Sequence, residues 1–200
     1  MKYGIVLRIL GILLTIEAVL MLPSYFIALF TAGPDANPFL ITIILTAALG
    51  LVLSIKYRYY KSIGAKDGLA IVTFGWLVAS MLGALPLYLA GSAGYVDSFF
   101  EIVSGFTTTG ATIFSDIETL PRGIIFWRSF THWIGGMGIL VFTLALLPAL
   151  GIGGFQIYKA ETPGPSEGKI TPRLKDTAKI LYLIYSTITL SQVALLIIGG

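Results

Sequence analysis

The feature that most constrains this chain is a series of long apolar runs with few charges inside them. These runs lie at residues 9–30, 39–55, 67–90, 124–148 and 180–198. A membrane-spanning helix needs about 20 mostly apolar residues, because each residue rises about 1.5 Å and the hydrocarbon core is about 30 Å thick. The chain is 56% hydrophobic and 12% charged, which leaves too little polar surface for a soluble globule of 200 residues. The sequence therefore predicts an all-α polytopic membrane protein.

The positions of the charges predict how the runs are oriented. Basic residues cluster after the second run, at 56–66, and again at 159–179, whereas the turn-rich segments 31–38 and 91–94 contain none. Cytoplasmic loops are enriched in Lys and Arg, so this pattern predicts a cytoplasmic N-terminus and explains the net charge of +3 without a nucleic-acid partner. The absence of cysteine excludes disulfides and thiol chemistry, and the single histidine, His132, excludes a histidine-rich metal site.

A polar hexapeptide, Thr107-Thr108-Thr109-Gly110-Ala111-Thr112, interrupts this apolar pattern. The apolar segment before it, 96–106, is long enough as a helix to cross only about half of a bilayer. Residues 96–112 are therefore predicted to enter and leave the membrane on the same side. Non-helical backbone at membrane depth is tolerated only where protein buries it or where it lines a water-filled path. This arrangement favours an ion pathway.

The hexapeptide has the composition of a cation-coordinating backbone. A half-helix that ends near residue 106 directs the negative end of its macrodipole at the following loop. An extended Thr/Gly run offers backbone carbonyls that can replace the water shell of a potassium ion. Thr108 and Thr109 are the predicted coordinating pair, with Thr107 and Ala111 beside them. Gly110 is expected to adopt backbone angles that other residues avoid, and to leave the pore free of a side chain.

Several charged residues lie inside the apolar runs and need partners. We hypothesise that Arg128 pairs with Glu101 behind the loop and braces the half-helix, because an unpaired charge at that depth is costly. His132 shares a helix face with Arg128 and is either a pH sensor or a hydrogen-bonded structural residue. Glu17 is either a functional acid or one that snorkels or pairs with a neighbouring helix, and we interpret it in the second way because it lies about two turns from the basic end of its run. Pro23 is expected to kink the first helix.

Two further groups of residues leave alternatives open. Gly135, Gly136 and Gly138 form either a hinge or a surface for close helix packing, for which small residues are typical in membranes. Asp116 and Glu118 follow the hexapeptide and either concentrate cations at the pore mouth or are ordinary screened surface acids.

The motifs around the hexapeptide resemble those of the TrkH/KtrB family of potassium-uptake proteins. The matching segments are Ser98-Phe99-Phe100-Glu101, Ser104 to Thr112, Trp127-Arg128-Ser129, Trp133 to Gly138, Glu161 to Pro165 and Arg173 to Lys179. The resemblance implies four membrane–pore–membrane units around one fourfold pseudosymmetric, potassium-channel-like pore. It also implies a homodimer, a cytosolic nucleotide-binding regulatory subunit of the TrkA/KtrA kind, and potassium as the transported substrate without a cofactor.

The resemblance also divides the chain. Residues 1–60 correspond to an N-terminal helix pair, 67–150 to the first unit with its filter loop at 107–112, 151–172 to a cytoplasmic linker, and 173–200 to the first helix of a second unit. The expected location is the inner (plasma) membrane of a prokaryote, in contact with lipid. One filter segment is present out of four, so we expect either a fragment of a longer chain or assembly of four copies into a cation channel.

Two other classes of function stay open at this stage. A non-conducting structural or assembly subunit would pack against a pore without carrying ions. An intramembrane enzyme would use Asp97, Glu101 and His132, although nothing in their spacing predicts a shared substrate cavity.

Overall fold

The computed structural model describes residues 3–57, 65–149 and 170–199. All regular structure in these ranges is α-helical, as the composition predicts. The helices are α1 (Tyr3–Leu20), α2 (Leu22–Phe30), α3 (Ala36–Lys56), α4 (Ala65–Gly83), α5 (Leu85–Leu89), α6 (Tyr95–Phe106), α7 (Arg122–Ala149) and α8 (Ile170–Gly199).

Most of the predicted spans are present as long apolar helices. Four stretches of the described chain are long and apolar enough to cross a membrane, namely Tyr3–Phe30, Ala36–Lys56, Lys66–Leu89 and Lys179–Gly199. Helix α7 has 28 residues and is therefore about 42 Å long, more than the thickness of the hydrocarbon core. The chain is a multi-pass, all-α membrane protein.

Two prolines interrupt long helices close to one end. Pro23 lies in the first turn of α2, and the chain leaves the α-helix for one residue, Met21, as the sequence predicts. Pro86 has the same position in α5, after α4 ends at Gly83. Proline has no N–H and its ring clashes with the preceding turn, so each interruption follows from the sequence. The indole Nε1 of Trp127 donates a hydrogen bond of 2.9 Å to the Gly83 carbonyl at the second interruption.

Helices α1 and α3 approach each other closely at two glycines. A Cβ atom added to Gly11 would lie 2.6 Å from the Ser54 nitrogen, and one added to Gly50 would lie 2.8 Å from the Gly11 carbonyl oxygen. Small residues at this contact let the two backbones touch, which is the usual basis of helix association in membranes. The N-terminal helices therefore form a tightly packed pair.

The chain divides into two compact units, Met1–Gly136 and Met137–Gly200. The first contains α1 to α6 and the start of α7, and the second contains the rest of α7 together with α8. Residues 151–169 of the predicted linker lie outside the described residues, and so does the 161–165 motif within it. Residues 58–64 of the basic loop also lie outside them. Helix α8 begins at Ile170, slightly before the predicted helix start at Arg173.

Candidate functional site

Helix α6 enters the first unit and stops inside it. Its 12 residues make a helix about 18 Å long, which is shorter than the hydrocarbon core. Near its start, the Tyr95 hydroxyl donates to the Met81 carbonyl at 3.1 Å. At its end, the Phe106 ring packs on Trp76 of α4, with the ring centroids 5.7 Å apart. Since Trp76 precedes Met81 on α4, α6 runs antiparallel to that helix and into the bundle.

The segment after α6 returns alongside it. The Ile113 N–H donates to Glu101 Oε2 at 3.0 Å, and Ile124, near the start of α7, contacts Asp35 in the loop between α2 and α3. The chain therefore comes back to the end of the bundle from which α6 started. This geometry agrees with the predicted re-entrant segment.

The C-terminus of α6 is capped by the first three residues of the hexapeptide. The N–H groups of Thr107, Thr108 and Thr109 donate to the carbonyls of Val103, Gly105 and Ser104, each at 2.9 Å. This is a Schellman-type cap, and it places Thr108 in the left-handed region with φ of +56°. A β-branched residue rarely adopts that conformation, since the left-handed region costs roughly 1–2 kcal/mol per residue. The run is thus not extended at its start, contrary to the sequence-based expectation.

The cap determines where the next carbonyl groups point. In a planar trans peptide the N–H of one residue and the C=O of the residue before it point in opposite directions. Because the N–H groups of Thr108 and Thr109 point back into α6, the carbonyls of Thr107 and Thr108 point away from its end. The carbonyl of Phe106 is directed likewise, and lies against the backbone of Gly135 on α7.

Gly110 forms the tip of the loop. The sign of φ alternates from Thr107 to Gly110, with −88° at Thr107, +56° at Thr108, a negative value at Thr109 and +77° at Gly110. A Cβ atom at Gly110 would meet none of the described residues within 4 Å, so the backbone angle accounts for the glycine.

The irregular segment 111–114 returns along α6, and we call it the return strand. A buried serine of α6 forms a hydrogen bond to it. Ser104 Oγ donates to the Ala111 carbonyl at 2.7 Å. This bond turns the Ala111 carbonyl toward α6, opposite to the carbonyls of Thr107 and Thr108. Ala111 is therefore better described as an anchor of the loop than as one of its predicted ion ligands.

The predicted ion pair between Arg128 and Glu101 is present behind the loop. Arg128 Nε donates to Glu101 Oε1 at 2.7 Å, its Nη2 contacts the same oxygen, and the two residues are only 8% and 2% exposed. Arg128 Nη2 also donates to Thr112 Oγ1 at 3.1 Å, and the guanidinium lies 5.5 Å from the centre of the Phe114 ring. The pair thus joins α6, α7 and the return strand, and its function as a brace stays a prediction.

Helices α6 and α7 touch through two glycines. A side chain at Gly105 would overlap the Thr131 side chain, and one at Gly135 would overlap the backbone of Phe106. Of the two alternatives for the glycines of α7, the contact at Gly135 supports close packing. The C-terminal end of α6 and helix α7 are therefore in direct contact at these two glycines.

The remaining candidate residues have local contacts. His132 Nδ1 lies 2.8 Å from the Arg128 carbonyl oxygen, which agrees with the structural alternative for this residue. Asp97 is exposed in the first turn of α6, whereas both oxygens of Glu101 are engaged by Arg128 and a backbone N–H. Asp116 Oδ1 accepts the Glu118 N–H at 3.0 Å, so that this exposed acid stabilises its own turn.

Glu17 has an environment that the sequence did not indicate. It is 5% exposed, and neither carboxyl oxygen has a hydrogen-bond partner among the described residues. A Cβ atom at Gly83 would lie 3.0 Å from Glu17 Oε1. The interpretation of Glu17 as a snorkelling or paired residue is therefore wrong, because the side chain points into the contact between α1 and α4.

Asp35 is a structural contact that sequence reasoning missed. It is fully buried, and its Oδ2 accepts the Ile124 N–H at 3.1 Å across 89 residues of sequence. A side chain at Gly123 would overlap the same carboxylate. The residue caps the start of α7 from the α2–α3 loop, as acids at helix N-termini do. Its only sequence signal is an acid in a turn-rich loop, which is ordinary at a protein surface.

Side-chain metal ligands do not explain a cation site here. No group of three or more His, Cys, Asp or Glu residues within the described ranges could hold a metal ion. The candidate site consists of the Thr107 and Thr108 carbonyls at the negative end of α6, which favours a cation. Among the described residues, 107–113 are exposed on the surface of the first unit.

The first unit thus combines a membrane helix, a half-length helix that ends in directed carbonyls, and the start of a second long helix. A family model described as "TrkH: Cation transport protein" matches residues 36–199, and the chain belongs to this family.

Curated relatives and a solved structure agree with this assignment. The Trk system potassium uptake protein TrkH of Halomonas elongata is 40% identical over 195 residues, which cover 96% of this chain and 40% of the relative. TrkH of Escherichia coli K12 is 38% identical over the same shares of each chain. The crystal structure of the potassium transporter TrkH from Vibrio parahaemolyticus matches with a TM-score of 0.78 and 34% identity, over 96% of this chain and 38% of that one. The chain thus spans about 40% of the length of the curated relatives it matches.

Proposed function

We propose that this chain takes part in potassium uptake, with the loop at 107–112 as one segment of a selectivity filter. The single observation that carries the proposal is the direction of the Thr107 and Thr108 carbonyls, which face away from the end of α6. Carbonyls arranged in this way can replace the hydration shell of a dehydrated cation. The names of the relatives, which refer to potassium uptake, support potassium as the substrate.

Each residue of the loop has a separate role in this proposal. Thr107 and Thr108 supply carbonyls, and Thr109 continues the run toward the tip. Gly110 permits the turn at φ of +77° and keeps the tip free of a side chain. Glu101 and Arg128 fix the return strand behind it.

The assembly around this segment is proposed from the family resemblance. Three further segments of the same kind would complete a fourfold pore, contributed by other parts of a longer gene product. A homodimer and a cytosolic nucleotide-binding regulatory subunit belong to the same proposal. We place the protein in the plasma membrane of a prokaryote with the N-terminus in the cytoplasm, in accord with the basic residues at 56–66.

The test replaces Gly110 by serine in the protein expressed from its complete gene, in cells that lack other potassium uptake. The measured quantity is the ratio of potassium or rubidium uptake to sodium uptake, at equal abundance in the membrane. Gly91→Ser is the matched control, because Gly91 also has a positive φ, +72°, and open space around its Cα. Both variants therefore carry similar backbone strain, and only one of them changes the loop.

We expect Gly110→Ser to lower the preference for potassium by at least tenfold, whereas Gly91→Ser keeps it. An unchanged preference in Gly110→Ser would refute the filter assignment. If both variants lost the preference for potassium equally, backbone strain would explain the loss. That result would also count against the filter assignment.

A further inference from the structure

Ser104 contacts the loop on both sides of Gly110. Its backbone carbonyl accepts the Thr109 N–H at 2.9 Å, and its hydroxyl donates to the Ala111 carbonyl at 2.7 Å. The residue is 3% exposed and lies on α6, two residues before the helix ends at Phe106. One buried residue is therefore hydrogen-bonded to the loop backbone on both sides of Gly110, at Thr109 and at Ala111.

The hydroxyl of Ser104 forms an unusual bond for a helical residue. Serine and threonine in helices usually donate to a carbonyl three or four residues earlier. Thr107 and Thr131 do so in this structure, with bonds to Val103 and Arg128. Ser104 instead donates seven residues ahead, to the return strand of the loop. Its side chain therefore stabilises the loop and makes no such bond within its own helix.

We propose that Ser104 is a positioning residue that sets the spacing across Gly110 and thereby the size of the cation that the loop accepts. This inference rests on the proposed function of the loop as a filter. The bond from Ser104 keeps the Ala111 carbonyl turned toward α6, while the Thr108 carbonyl faces away. Without the bond from Ser104, the peptide group between Ala111 and Thr112 is free to rotate. The distance between the two sides of the loop, at Thr109 and Ala111, is then no longer fixed.

A positioning role differs from a packing role in what it changes. If Ser104 only fills space, its replacement alters the amount of folded protein and the uptake of every ion by the same factor. If it sets the width of the loop, its replacement alters the ratio between ions of different size. The uptake ratio of rubidium to sodium at equal membrane abundance separates the two roles.

The experiment compares Ser104→Ala and Ser104→Thr in the protein expressed from its complete gene. Ser104→Ala should lower the rubidium-to-sodium ratio about fivefold, which is the factor that one net hydrogen bond is worth. Ser104→Thr keeps the hydroxyl and should retain most of the ratio. Ser98→Ala is the control, because Ser98 is a buried serine of the same helix whose hydroxyl contacts the Ala93 carbonyl, away from the loop. It should leave the ratio unchanged.

The outcomes distinguish this inference from the function on which it rests. An unchanged ratio in Ser104→Ala, together with a lowered ratio in Gly110→Ser, would overturn the role of Ser104 and leave the filter assignment intact. An unchanged ratio in both variants would overturn the filter assignment itself. If Ser104→Ala does not reach the membrane, Ser104→Cys replaces it, since a thiol has a similar size and donates weakly. A wild-type ratio in that variant would equally refute the proposal.

Discussion

Three of the four buried acids among the described residues of the first unit, Glu101, Asp35 and Glu17, differ in how many of their oxygens are hydrogen-bonded. Both oxygens of Glu101 are used, by a guanidinium group and by a backbone N–H. Asp35 uses one oxygen, for the backbone N–H of a helix start, and Glu17 uses neither among the described residues. A buried polar group costs free energy unless it is hydrogen-bonded. The loss of each side chain should therefore destabilise the protein in the order Glu101, Asp35, Glu17.

Burial alone does not separate these acids, since they are 2%, 0% and 5% exposed in the same order. What separates them is the structure that each one holds. Glu101 accepts a hydrogen bond from the loop that we propose as a filter, and Asp35 accepts one from the start of the helix behind it. Glu17 has no hydrogen-bond partner among the described residues. The role of a buried acid in this protein therefore follows from its hydrogen-bond partners. Substitution of Glu101, Asp35 and Glu17 tests this order.

The largest effect is expected for Glu101→Ala. This change leaves Arg128 buried without its counter-charge, which typically costs about 3–5 kcal/mol. The apparent midpoint of thermal unfolding in detergent and the rubidium-to-sodium uptake ratio should both fall. Glu101→Gln removes the charge and keeps an acceptor, so the same measurements should show a smaller loss. Wild-type folding and uptake in Glu101→Gln would contradict the brace.

A double variant separates the stability of the pair from its effect on the loop. Replacement of Glu101 by Leu and Arg128 by Met removes both charges together, which is often neutral for stability. The double variant should unfold nearer to wild type than Glu101→Ala does. Its uptake ratio should stay low, because the N–H of Ile113 has lost its partner and the hydroxyl of Thr112 has lost its hydrogen bond from Arg128. Recovery of the ratio along with stability would show that the pair has no positioning role.

An intermediate effect is expected for Asp35→Ala. The change removes the cap of α7, and a lost cap costs about 1 kcal/mol. Asp35→Asn keeps an oxygen acceptor for the Ile124 N–H and should lose less than half as much. The exposed Asp116 also accepts a backbone N–H, so that Asp116→Ala is the matched surface control and should change the unfolding midpoint less than Asp35→Ala does. Equal effects of Asp35→Ala and Asp116→Ala on the unfolding midpoint would refute the stabilising role of the Asp35 cap.

The smallest effect is expected for Glu17→Met. Methionine has a similar length, fills irregular space and carries no group that needs a hydrogen bond. Because Glu17 has no hydrogen bonds to lose among the described residues, stability should stay within about 0.5 kcal/mol of wild type or rise. Thermal unfolding and uptake are measured together. If uptake were lost while the protein stayed folded, Glu17 would have a direct role in transport and the ordering by hydrogen bonds would be incomplete.

The sequence predicts the elements of this fold well, because they follow from local chemistry. Apolar runs of about 20 residues identify the spans, and the rings of Pro23 and Pro86 account for the interruptions near their ends. The pairing of Arg128 with Glu101 is also predictable, since two charges at membrane depth need each other. These inferences use only residue type and sequence spacing.

The finer geometry of the site depends on contacts that residue type does not reveal. A β-branched residue such as Thr108 disfavours positive φ, so the cap of α6 that forces it there contradicts local preference. The bond from Ser104 to Ala111 requires the loop to return along α6. The lack of partners for Glu17 depends on the packing of α1 against α4. Each of these features is set by tertiary structure.

The bond between Asp35 and Ile124 also bears on biogenesis. Chains are made from the N-terminus at roughly 5–20 residues per second, so Asp35 leaves the ribosome about 4–18 s before Ile124, 89 residues later. The α1–α3 helices, with their glycine contact, have time to assemble in the membrane before α7 is inserted. The carboxylate that caps α7 is therefore made before the helix that it caps.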